Sequence, residues 1–187
     1  WVASLLMFLM QIAPGFSTPL FYYQTKTLGF KPQFIGNLEG LAAVTGIASG
    51  FFYLFWCRKA SLMWVLIATT ILHSCITLSF LLYHDQTSAV IIEGLNGIGA
   101  TLAFLALFDL AARSTPAGSA AMGYSILYAF INIAISGSDY AGSWLFERFG
   151  SEFSVMVWIN ALTTAVVLLG IPFLPKVLLR SRDGDAG

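Results

Sequence analysis

Long apolar stretches broken by short clusters of turn residues divide this chain into six segments, each near the roughly 20 residues that a membrane-crossing helix needs. The first covers residues 1–23 and is interrupted by Pro14-Gly15 and by Pro19. The second, 32–56, opens on Pro32, a residue suited to a first helical turn. The third covers 61–83 and the fourth 88–112. The fifth, 119–146, follows the break Ser114-Thr115-Pro116-Ala117-Gly118, and the sixth, 153–174, is closed by Pro172 and Pro175. Residues 176–187 form a polar tail. The short connections make consecutive segments antiparallel neighbours. The expected fold is an all-α membrane protein with six transmembrane helices.

Composition sharpens this expectation. The 187 residues are 58% hydrophobic and only 10% charged, where a soluble domain carries about 25%. Nine basic and nine acidic residues cancel, which leaves no electrostatic footprint for nucleic acid. Cys57 and Cys75 are too few for a disulfide framework or a structural zinc site. The chain begins at Trp1 inside an apolar run, with neither a basic n-region nor a small-residue cleavage site, and so reads as a fragment lacking its N-terminal part.

The basic residues set an orientation. Arg58, Lys59, Arg113, Lys176, Arg180 and Arg182 gather at one set of helix ends, against Lys26, Lys31 and Arg148 at the other. The richer set is expected in the cytoplasm, together with the C-terminal tail.

Charge inside a span costs about 2.5–3.5 kcal/mol on insertion scales, so each case calls for a reason. Segment two carries Glu39, segment four Glu93 and segment five Asp139, while the middles of segments three and six are uncharged. All three acids fall in the outer half of their spans and suggest one shared polar layer. Along segment five, Ser125, Tyr128, Asn132, Ser136, Asp139 and Ser143 recur every three or four residues and share one helix face. Such a stripe faces a cavity or a neighbouring helix rather than lipid. Segment one has a shorter version in Gln11, Thr18, Tyr22 and Thr25, beside a Pro14-Gly15 break of the kind tolerated where backbone lines a cavity. Segment four adds Asn96 and Thr101 to Glu93.

Other polar and small residues have simpler explanations. Gly36, Gly40, Gly46 and Gly50 have the spacing of a helix-packing surface, and Gly94, Gly97 and Gly99 follow no strand that would make them a dinucleotide loop. His73 and Thr77 suit hydrogen bonds to backbone or to a neighbour. Asp109 and Arg113, four apart, form an intrahelical pair or a cytoplasmic gate. Both histidines, His73 and His84, lie on or beside segment three, away from any serine–acid pair, and no cluster of ligands suits a metal. An enzyme is not expected, nor is a cofactor.

Six spans with inside termini, acids on the second, fourth and fifth, and neutral third and sixth resemble one half of a major facilitator transporter. The run Phe21-Tyr22-Tyr23-Gln24-Thr25-Lys26-Thr27-Leu28-Gly29-Phe30-Lys31-Pro32-Gln33-Phe34-Ile35-Gly36 resembles the end of the seventh helix and start of the eighth in folate–biopterin transporters. Leu110-Ala111-Ala112-Arg113-Ser114-Thr115-Pro116-Ala117-Gly118 is similar to the "AAR.(C/T)P.G" connection of that family, and Asn132 stands where a Ser-x-x-Asn element recurs. The resemblance implies a C-terminal six-helix half that works with an N-terminal six-helix half absent from this chain. It further implies a multi-pass protein of the plasma or inner membrane, moving a folate- or pterin-like solute by alternating access, with protons as the coupling partner. Asp139, then Glu39 and Glu93, are the expected proton-coupling carboxylates. Gln11, Tyr22, Asn96, Asn132 and Ser136 are expected to bond the solute, with Tyr128, Tyr140 and Trp144 to stack on it. The alternatives are a major facilitator exporter of drugs or another organic solute, and a non-transporting six-helix membrane protein.

Overall fold

The computed structural model describes residues 11, 13–55, 57, 60–114 and 120–169, and all regular structure among them is helical. Most of segment one before Gln11, the basic residues Arg58, Lys59, Lys176, Arg180 and Arg182, and the polar tail lie outside the described residues. Helix α1 (Ser17–Tyr22) continues into a wider π turn over Tyr23–Thr27. Helix α2 covers Pro32–Phe55, α3 Leu62–Ser79 with a 3-10 extension Phe80–Leu82, and α4 Gln86–Ser114. Helices α5 and α6 cover Ala120–Arg148 and Phe153–Val167.

Pro32 opens α2, as its fixed φ and missing N–H favour. Asp85 and Ser88 start α4 by capping each other. The Ser88 N–H donates to Asp85 Oδ1 at 2.6 Å, and Ser88 Oγ accepts from the Asp85 N–H at 3.0 Å. Those bonds from Ser88 hold the exposed Asp85 carboxyl below its ordinary pKa. Among the described residues, four helices are long and apolar enough to cross a membrane: Pro32–Phe55, Leu62–Leu82, Gln86–Arg113 and Ala121–Arg148. The described part of α6 is shorter.

Helix α2 packs on α4, α4 on α3, α3 on α6, and α1 on α5, with α6 also touching α1 and α5. The α2–α4 crossing is a backbone contact. A Cβ on Gly97 would lie 2.1 Å from the Ala42 carbonyl oxygen and 2.4 Å from Thr45 Oγ1. Gly46 meets Thr101 across the same seam, whereas Gly36 and Gly40 face open space. Only part of the glycine spacing on segment two is therefore a packing surface.

Two apolar clusters close the ends of the bundle. Tyr53, Leu62, Leu66, Leu107, Leu110 and Ile131 make one, and Phe30, Leu38, Phe80, Ala89, Phe153 and Met156 the other. Burial is uneven: 44% and 39% of the apolar windows of α3 and α4 are inside, against 22% and 17% for α2 and α5. The last two thus present most of their surface outward.

Candidate functional site

Pro14 has no N–H to donate, and residues 13–16 leave the helix. The freed backbone is satisfied from α5 and α6. Ser138 Oγ donates to the Ala13 carbonyl, and Asn160 Nδ2 donates to the Pro14 carbonyl at 2.8 Å. The Gly15 N–H donates to the Ser138 carbonyl at 3.0 Å. Phe16, at the N-cap of α1, offers no side-chain acceptor. Asp139 supplies one from α5: its Oδ1 accepts the Thr18 N–H at 3.2 Å and its Oδ2 accepts the Thr18 hydroxyl at 2.7 Å. A carboxylate at the first turn also meets the positive end of the helix dipole. This cross-helix cap depends on close approach, since a Cβ on Gly142 would fall 1.7 Å from the Gly15 carbonyl oxygen.

Behind the break lies a polar chamber of about 150 Å³ lined by Gln11, Gly15, Ser17, His73, Ser138, Asp139, Asn160 and Thr164. Gln11, His73, Ile135 and Thr164 also line an adjoining, more apolar cavity of about 200 Å³.

A second cavity of about 300 Å³ opens between α1, α2 and α4. Glu39, Glu93, Asn96, Gln24 and Ser17 line it. The π turn rotates Gln24 inward, where it is 3% exposed, and its amide donates to Tyr83 Oη at 2.5 Å. Tyr83 Oη donates in turn to Glu93 Oε1 at 3.4 Å, and Asn96 Nδ2 donates to Glu93 Oε2 at 3.5 Å. Glu93 is 8% exposed, so this chain of partners keeps a buried carboxyl bonded, while Glu39 is exposed at the cavity mouth. The Tyr83 hydroxyl thus accepts from Gln24 and donates to Glu93. Tyr83→Phe is expected to leave both neighbours short of a partner and to cost about 1–3 kcal/mol, measured as thermal unfolding of the detergent-solubilised protein. Unchanged stability would show that water replaces the phenol freely.

At the opposite end of α4, Arg113 grips Asp109 through two bonds of 2.9 Å, and Tyr53 Oη of α2 donates to the same carboxylate at 3.3 Å. The pair is intrahelical and half-buried, and Tyr53 ties it to a second helix.

The expected single acid layer is thus divided. Glu39, Glu93 and Asn96 meet in one cavity, while Asp139 and Gln11 border another, because the broken backbone of segment one claims the Asp139 carboxylate. Tyr22 stands beside Phe146, ring centroids 5.7 Å apart, at a third cavity of about 300 Å³. Tyr128, Asn132, Ser136, Tyr140 and Trp144 all lie on the exposed face of α5, with Tyr140 77% exposed. Asn132 donates to the Tyr128 carbonyl at 2.8 Å, and the Tyr128 ring stacks near Phe108 of α4. Sequence reasoning missed the parts played by Gln24, Tyr83, Ser138, Gly142 and Asn160. Asn160, an amide inside an apolar span, was a usable signal; Ser138 and Gly142 signal nothing without the α1–α5 contact.

An irregular proline-containing stretch whose backbone groups are satisfied by facing helices beside a carboxylate is a feature also found where backbone lines the cavities of solute carriers. A sequence model of the BT1 family matches residues 1–185. The chain belongs to the BT1 family. A folate-biopterin transporter of Synechocystis sp. is 26% identical over 184 residues, covering 91% of this chain and 37% of that protein. The chain therefore spans little more than a third of the length of that relative. Membership of the BT1 family and the four apolar helices together make this an integral membrane protein of a transporter family.

Proposed function

We propose that this chain is the C-terminal six-helix half of a secondary active transporter that moves a folate- or pterin-like organic solute by alternating access, driven by protons. The observation that carries this reading is the broken segment one, held by Ser138, Asp139 and Asn160 at the border of a polar chamber. The packing pattern adds support. The pairs α1·α5 and α2·α4 exchange, and α3·α6 maps on itself, when the first three helices are swapped with the last three. That is the symmetry expected of inverted three-helix repeats within one major facilitator half.

In this reading an N-terminal six-helix half covers the exposed faces of α2 and α5. Tyr128, Asn132, Ser136, Tyr140 and Trp144 then line the space between halves, with Gln11, Tyr22 and Asn96 on its other walls. Asp139 is the first coupling carboxylate, with Glu39 and Glu93 next. The Asp109–Arg113 pair, joined by Tyr53, clamps the cytoplasmic end. The solute class comes from the relative's name and the family resemblance. Uptake of labelled folate by cells expressing the complete reading frame tests it. Accumulation that collapses with a protonophore is expected. No accumulation above empty cells, with the protein confirmed at the membrane, would sink the folate assignment.

A further inference from the structure

His73 sits on α3, the most buried of the apolar helices. Its Nδ1 is buried without a hydrogen-bond partner, as is the Oγ of Ser74 next to it. A buried polar atom left unpaired costs about 1–3 kcal/mol, so protein interiors supply a partner or hold water there. Among the described residues no protein partner bonds His73 Nδ1, but a polar space lies beside it. His73 lines both the 150 Å³ chamber and the adjoining 200 Å³ cavity, room for several waters at about 30 Å³ each. Asp139 lines the same chamber from α5.

We infer that His73 and Asp139 form a water-linked proton-carrying pair across the chamber behind the broken helix. In the relay a chamber water accepts a hydrogen bond from the protonated Asp139 carboxyl and donates one to the His73 ring. A proton leaving the Asp139 carboxyl moves along this water to the lone pair of the imidazole, and returns by the same path; no other bond is made or broken. Among the described residues, the other groups facing His73 are uncharged: Gln11 from segment one, Thr164 and Asn160 from α6, Ile135 from α5, and apolar residues of α4. Among the described residues lining this chamber, Asp139 is the one other titratable group. Glu147 lies on the far side of Thr18, in a separate cavity. The arrangement gives the carboxylate that caps α1 a place to send its proton without opening the cap to bulk water.

The inference rests on the proton-driven reading for its purpose, but its test does not use transport. The complete protein is purified in detergent as wild type, His73→Gln, Asp139→Asn and the double variant, and Tm is measured near pH 8 and near pH 5. His73→Asn stands in if the glutamine variant fails to fold. The His73→Gln shift in Tm is expected to differ between the wild-type and Asp139→Asn backgrounds, and this difference should change between the two pH values, the interval over which an imidazole gains its proton. Additive shifts at both pH values would overturn the inference. Non-additivity that is the same at both would assign the pair a packing role and overturn it equally. A protonophore-insensitive wild type would instead defeat the proton-driven reading and leave the linked pair standing.

Discussion

Gly142→Ala is expected to be the most damaging glycine-to-alanine change among the described residues. Its new Cβ would meet the Gly15 carbonyl oxygen at 1.7 Å, and that oxygen belongs to backbone that no side-chain rotation can move. Relief requires α5 to withdraw from the break in segment one. Withdrawal pulls Asp139 from Thr18 and Ser138 from Ala13, so the methyl costs its own overpacking and also unpairs the freed backbone. Overpacking alone runs to roughly 1–3 kcal/mol, and with the lost bonds the total should exceed about 3 kcal/mol. A large fall in Tm of the solubilised protein, with solute uptake near background, is the expected result. Gly137→Ala is the control on the same helix, because a Cβ there meets nothing within 4 Å. Equal behaviour of the two variants would refute the close approach of segment one and α5.

Asp139→Asn should separate coupling from architecture. The amide oxygen still accepts a bond from Thr18, so the cap keeps its shape while the charge and the exchangeable proton disappear. A carrier that moves one proton with its solute gains about 2.3 kcal/mol per 100 mV of membrane potential, roughly fiftyfold in accumulation. The Asn variant should lose that factor and only equilibrate labelled folate across the membrane. Exchange of external for internal solute involves no net proton movement and should keep most of its rate. Accumulation and pH profile both unchanged would remove Asp139 from coupling and shift attention to Glu93, whose carboxyl is held by Tyr83 and Asn96.

The helical, membrane class of the molecule was legible because local chemistry sets it. Pro32 starts α2 wherever the chain finds itself, and an apolar run such as Leu62–Leu82 has no stable place outside a bilayer or a core. The break at Pro14-Gly15 was visible for the same reason: a missing N–H is a property of the residue. The identity of the partners that repair the break was not visible. Ser138 and Asn160 lie more than a hundred residues away in sequence, and only the packing of α1 on α5 and α6 brings them to Ala13 and Pro14.

The acids divide along the same line. Their depth in the membrane follows from counting residues along each helix, so Glu39, Glu93 and Asp139 were expected at one level. Which of them share a cavity depends on the rotation and neighbours of each helix, which one-dimensional spacing does not contain. The polar stripe of α5 makes the point within a single element. Periodicity put Asn132, Ser136 and Asp139 on one face, yet Asp139 turns to the broken helix while Asn132 and Ser136 stay exposed. The sequence by itself determined that the chain is helical, lives in the membrane and carries charge in its spans. The tertiary structure alone decided which charge caps which helix and which imidazole shares its chamber, because those are contacts between distant segments, fixed by helix packing rather than by local preference.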